Sequence, residues 1–338
     1  MSDDNWKLFE AFLNQHDGDS WTRVINDLLP SIHEVDKNAT LIWMAFFPID
    51  LAVAIEAEPD RERLIEELQI LGKYSLKEQI DSSHSFLYGH RYWPEVKKAI
   101  TDQAKSTAAS SPELGSQIRE VAKRVSGTLK VPESLLVGIT AAGFMTLQQV
   151  GLRAFGTEPG KVQIDPKHAK KTPEQVVRAR SKNNSQGLFG FLRGDNKVWN
   201  ITFNENVDGC VFKLIDTQEL TSAAANDTRH YERRDPKLLG SVGPIPVQCR
   251  AASCGTCWVG VLGGADRLAA VDPLESKRIK KFGYIDTDER NPVIRLACRA
   301  QGKGAVTLVV PPWNGVFGKF LEDRKKAAAE ETEKAGSV

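Results

Sequence analysis

From residue 1 to about residue 156 the apolar positions recur at helical spacing. Trp6 to Leu13 and Trp21 to Ile32 return apolar side chains to one face every three or four residues, and Pro59 to Leu68 opens on proline with acids in its first turns. Each pattern predicts a helix. Thr40 to Phe47 is a nearly continuous apolar run, too short to span a bilayer. Ser134 to Leu152 carries no charge, yet its three glycines, two threonines, two glutamines and one serine dilute its hydrophobicity below that of a spanning segment. It predicts a buried core helix opening near Pro132-Glu133-Ser134.

Residues 157–195 break this pattern. They gather Gly, Pro, Lys, Asn and Ser, as in Lys167-His168-Ala169-Lys170-Lys171 and Ser181 to Ser185, and predict a basic linker with one helix over Thr172 to Arg180. From Lys197 the period shortens to two. Val198 to Phe203 and Cys210 to Ile215 alternate on either side of Glu205-Asn206-Val207-Asp208-Gly209, predicting a β-hairpin. A helix is expected over Glu219 to Ala225, a strand over Trp258 to Leu262, a short helix capped by Asp272, a strand over Val293 to Leu296, and a last strand ending at Pro311-Pro312-Trp313. The Ala-, Glu- and Lys-rich tail, 319–338, predicts a frayed or disordered end.

The chemistry lies in four cysteines. Cys249, Cys254 and Cys257 have C-x4-C-x2-C spacing and Cys298 follows after forty residues, which is the plant-type pattern for ligating a [2Fe–2S] cluster. The intervening residues Arg250-Ala251-Ala252-Ser253 and Gly255-Thr256 are mostly small, so the backbone can wrap closely and aim N–H groups at sulfur. Arg250 and Arg299, each following a ligand, are candidates to offset the site's negative charge.

Together with Arg295-Leu296-Ala297-Cys298 leading into Ala305 to Val310, this loop resembles a plant-type [2Fe–2S] ferredoxin domain, over residues about 196–318. The resemblance implies a β-grasp fold, one [2Fe–2S] cluster held by Cys249, Cys254, Cys257 and Cys298, and a low potential near −400 mV. The chain departs from that family in the long gap from Cys257 to Cys298 and in a charged insertion, Asn226 to Leu239. The expected fold class is α+β: an all-helical domain of unrecognised type (1–156), the linker, the ferredoxin-like domain and the tail.

Other uses of the cysteines fit less well. Structural zinc sites usually pair two short Cys-x2-Cys knuckles, a Rieske centre needs two histidines near the motif, and a chain of 338 residues without a secretory signal needs no disulfide staples. Cys210, the fifth cysteine, reads as a buried spectator. His84 and His90, six residues apart, do not share a helical face, which argues against joint metal ligation; with Arg91, Tyr92 and Trp93 they offer a surface or docking alternative. Trp258, directly after a ligand, reads as core or as an aromatic shield.

Charge adds an asymmetry. Residues 1–100 carry ten Lys/Arg against eighteen Asp/Glu, whereas residues 158–197 carry nine against four and residues 241–320 eleven against six. A basic cluster domain favours a redox partner with an acidic docking surface, either another protein or the chain's own N-terminal half. Composition places the chain among soluble globular proteins of a reducing, cytoplasmic compartment, with neither nucleic-acid binding nor membrane insertion expected. No catalytic constellation and no flavin or nicotinamide fingerprint appears. The expected function is one-electron transfer, as a carrier or a subunit of a larger oxidoreductase. Two alternatives remain: a redox or iron–sulfur sensing module whose helical half docks a partner, and an oxidoreductase with its substrate site in the N-terminal region.

Overall fold

The structure is a computed structural model that describes residues 4–106, 113–183, 197–229, 243–282 and 291–315, with 326, 327 and 330. The tail beyond Phe320, most of the charged insertion after Arg229 and linker residues 184–195 therefore lie outside the described residues, apart from those three positions. The described part is mixed helix and sheet, with most helices in the N-terminal half and the main sheet in the C-terminal half. It divides into two compact units that interleave along the chain. One draws on 1–52, 75–182 and 204–210, the other on 53–74, 183–203 and 211–338.

Helices α1 (Asp4–Leu13), α2 (Gly18–Leu28) and α5 (Arg61–Glu67) fall on the three predicted stretches, while α3 (Glu34–Phe46), which takes in most of the apolar run, and α4 (Ile49–Ala57) have no predicted counterpart. Pro59 does not open α5; the Asp60 carboxylate accepts from the Arg63 N–H and sets the start two residues later. Strand β1 (Leu71–Gly72) comes next, and then α6 (Trp93–Lys105), α7 (Leu114–Leu129) and α8 (Ser134–Thr157). The centre of the first unit is α8, against which α3, α6 and α7 pack. Its glycines serve close packing: a Cβ on Gly138 would meet Thr40 Oγ1 at 2.5 Å, and one on Gly143 would meet Ile100 Cδ1 at 2.5 Å. At Gly151 the helix breaks with φ 77°, and the Glu10 carboxylate accepts the Leu152 N–H at 2.6 Å. The stretches Glu34–Ala57 and Ser134–Thr157 are long and apolar enough to cross a membrane by composition, and most of each is buried within the structure.

The predicted linker contains α9 (Pro166–Ala169) and α10 (Pro173–Ser181), both within the first unit. A capping box fixes the start of α10, since Thr172 Oγ1 accepts from the Gln175 N–H and the Gln175 side chain accepts from the Thr172 N–H.

In the second unit β2 (Val198–Thr202) and β3 (Val211–Ile215) form the expected antiparallel hairpin, with Trp199 opposite Leu214. After α11 (Leu220–Ala225), β4 (Trp258–Gly263), α12 (Pro273–Phe282), β5 (Ile294–Leu296) and β6 (Val306–Val309), a five-stranded sheet has the order β3-β2-β6-β4-β5. Its β2–β6 pair is parallel and the others are antiparallel. The chain does not end its pairing there. Trp313–Asn314, β7, pairs antiparallel with β1, so a segment from the helical half of the sequence completes this unit.

Candidate metal centre

Strand pairing delivers two of the four cysteines to one another. In the β4–β5 ladder Trp258 stands opposite Leu296, and the Ala297 N–H donates to the Cys257 carbonyl at 3.0 Å, so Cys257 and Cys298 meet at the sheet's end. Both are buried, and a hydrogen bond joins their thiols.

The other two stand on the loop before β4. Arg250, Ala252 and Gly255 have φ of 53°, 55° and 66°, a left-handed conformation that costs about 1–2 kcal/mol per non-glycine residue. This backbone turns the N–H groups of Ala251 and Ser253 onto Cys249 Sγ, at 3.4 and 3.3 Å. A further N–H, from Ala252, reaches Cys298. The small side chains allow the wrap. Cys249 and Cys254 are partly exposed, in contrast to the other pair.

These surroundings act on the thiols in opposite directions. Burial opposes ionisation of Cys249, but the Ser253 hydroxyl, the two loop N–H groups and the Cys254 thiol outweigh it and bring Cys249 down to about 6. Donation from Cys257 lowers Cys298 against its own burial, while the same contact, with burial, raises Cys257. The four sulfurs thus associate as Cys249 with Cys254 and Cys257 with Cys298, the pairs being electrostatic neighbours of each other. Among the described residues no three or more His, Cys, Asp or Glu side chains converge on a position for a single ion.

A supporting layer fixes the segment that carries Cys298. Glu275, fully buried on α12, accepts from Arg295 at 2.8 and 2.9 Å and from the Leu296 N–H at 2.9 Å. Asp272 caps α12 through the Glu275 N–H at 2.8 Å and also binds Arg299 at 2.6 and 2.9 Å. The Arg299 charge is therefore shared with a carboxylate, and Arg250 is exposed. Trp258 packs edge-on against Trp313 at 5.5 Å, and the Asn314 amide donates to the Thr256 carbonyl.

No family model, curated protein or solved structure matches this chain.

Outside this loop the structure brings together residues that helical spacing separates. His84 and His90 lie in turns and a 3-10 helix, not on an α-helix, and their Nδ1 atoms are 2.9 Å apart. Both are buried, as is Trp93, whose ring lies tilted against His84 at 4.1 Å, so the surface reading fails for these three, while Arg91 and Tyr92 are partly buried. Since His84 Nε2 donates to the Ile80 carbonyl at 3.2 Å, His84 Nδ1 accepts from His90 Nδ1–H, and both rings are neutral. Burial pushes His84 well down and His90 down to about 4. Nearby Asp36, wholly buried, accepts from the Tyr88 and Gly89 N–H groups at 2.6 and 2.8 Å. Cys210 is buried, as expected of a spectator.

Proposed function

We propose that the chain is a one-electron transfer protein that holds a single [2Fe–2S] cluster at Cys249, Cys254, Cys257 and Cys298. The observation carrying this reading is the left-handed loop whose Ala251 and Ser253 N–H groups point at Cys249 Sγ, beside the strand pairing that brings Cys257 and Cys298 to the end of one sheet. Cys249 and Cys254 from the loop, with Cys257 and Cys298 at the end of the sheet, would hold such a cluster. Bound there, the cluster supplies a one-electron couple.

The chain's own residues do the rest. The Ala251 and Ser253 N–H groups stabilise thiolate at Cys249, so ligation releases fewer protons at this position near pH 7 than an ordinary thiol would. Glu275, through Arg295 and the Leu296 N–H, holds β5 and with it Cys298. Buried Cys257 and Cys298 keep water from one side, and partly exposed Cys249 and Cys254 give the side through which electrons enter and leave. The mixed sheet, with a hairpin beside a parallel β2–β6 pair and α11 packed on β3, supports reading this unit as a β-grasp domain.

Replacing cysteines one at a time tests the ligand set. Cys298→Ser is expected to abolish or strongly weaken the visible charge-transfer absorbance of the purified protein, and Cys210→Ser to leave it unchanged. Bleaching in the Cys210 variant would overturn the assignment.

A further inference from the structure

One residue that the cysteine spacing does not call for ties the loop from outside. Asn314, on β7, is buried, and its side-chain amide donates to the Thr256 carbonyl. Thr256 stands between Gly255, at φ 66°, and Cys257, and its hydroxyl donates to Gln248 Oε1 at 3.1 Å. That second bond closes the loop between the residues that precede its first and third cysteines.

Asn314 is held in turn by its neighbours and its own backbone. Trp313 is fully buried with its ring edge-on to Trp258 at 5.5 Å. A Cβ added at Gly315 would meet Ile70 Cγ1 at 2.9 Å and the Leu68 carbonyl at 3.2 Å, so the chain passes these residues too closely for a side chain. The strand register sets Asn314 opposite Leu71 of β1, and the Lys73 N–H donates to the Pro312 carbonyl at 2.9 Å. The short Asn314 side chain therefore reaches Thr256 from a fixed point.

Planarity carries this contact to the cysteine. The described peptide bonds are trans, so the carbonyl and the N–H of one peptide point in opposite directions. A Thr256 carbonyl turned to β7 directs the N–H of Cys257 away from β7. The direction of N–H groups around ligating sulfur is one of the settings of a cluster's potential. Left-handed Arg250 and Ala252 make this a strained backbone, which keeps its shape only where surrounding contacts hold it.

We propose that Asn314 is a positioning residue for the ligand loop: holding the Thr256 carbonyl, it aims the Cys257 N–H to the cluster side, and β1 keeps Asn314 in place through β7. This role rests on the proposed [2Fe–2S] site. It gives a strand from the helical half of the sequence a part in setting the potential.

Potentiometric titration of the full-length, cluster-loaded protein, followed by electron paramagnetic resonance, tests it beside the rate at which a chelator removes iron. Asn314→Leu and Asn314→Asp keep the size of the side chain without its N–H groups. Both should shift the reduction equilibrium at least threefold towards the oxidised form, about 28 mV for one electron, and lose iron at least threefold faster. Lys73→Pro, at an exposed position, removes the N–H that donates to Pro312 and should shift the equilibrium in the same direction. Potentials and rates equal to the parent's in both Asn314 variants would overturn the proposal. If neither variant takes up a cluster, an unchanged potential in Lys73→Pro overturns it. A parent protein without iron and labile sulfide would overturn the cluster reading itself, and this role with it.

Discussion

Asp36 illustrates how much one buried group can set. Among the described residues it has no ion-pair partner in direct contact, and burial, opposed by the Gly89 and Tyr88 N–H groups, raises it to about 6. A carboxyl that binds its proton more tightly when folded favours the fold at low pH, and that contribution falls as pH rises from about 4 to about 6. The shift corresponds to about 3 kcal/mol across the window. His84 and His90 act in the opposite direction. Lowered when folded, they contribute stability above the ordinary histidine value, and it is lost as pH falls from about 6.5 towards 4. The two effects oppose each other between pH 4 and 6. In Asp36→Asn the histidine effect should stand alone, so urea melts at pH 4, 5 and 6 should show stability rising more steeply with pH than in the parent. An unchanged slope would contradict the protonation states assigned here. None of this was legible from spacing, because His84 and His90 meet through tight turns and Asp36 reaches Tyr88 across 52 positions of sequence.

At the scale of elements, the cysteine loop was legible because its requirements are local: small residues, short spacing, and a strand directly after Cys257. The support for the fourth cysteine was not. Asp272 could be read as a helix cap from its place before Pro273-Leu274-Glu275, but nothing in the sequence couples Glu275 to Arg295, twenty residues later across the β4–β5 connection. That pair is buried on both sides. Removing one partner leaves an uncompensated charge, at about 3–5 kcal/mol, whereas replacing both with apolar residues is far milder. Glu275→Ala is therefore expected to lower the midpoint of thermal unfolding and to speed loss of visible absorbance under a chelator. Glu275→Met with Arg295→Met should recover much of the stability while the Leu296 N–H still lacks its acceptor. If Glu275→Ala retains its chromophore as long as the parent, the pair does not position Cys298.

Over the whole molecule, the helical periodicity, the change of period at Lys197 and the β2–β3 hairpin followed from pattern alone, since each is a repeat within a short window. The interleaving of the two units did not. Strand β1 is two residues long and exposed, with no alternation to announce it, and its pairing with β7, the Lys73 N–H on the Pro312 carbonyl and the approach of Gly315 to Ile70 tie residues 53–74 to the second unit. Gly138 and Gly143 dilute the hydrophobic run of Ser134–Leu152, and their stronger reason is the approach of Thr40 and Ile100 to α8. A fragment spanning 196–318 lacks β1 and loses cover over Trp313, which is fully buried in the intact chain. Such a fragment should unfold at a lower urea concentration than one in which residues 53–74 are supplied by fusion, and equal midpoints would show that β1 contributes nothing to this unit.

The central claim is the cluster, and its most direct test is elemental. Iron and acid-labile sulfide should be determined on the purified full-length protein, prepared without oxygen. Two irons and two sulfides per chain are expected. Zinc in place of iron, or iron without labile sulfide, would contradict it.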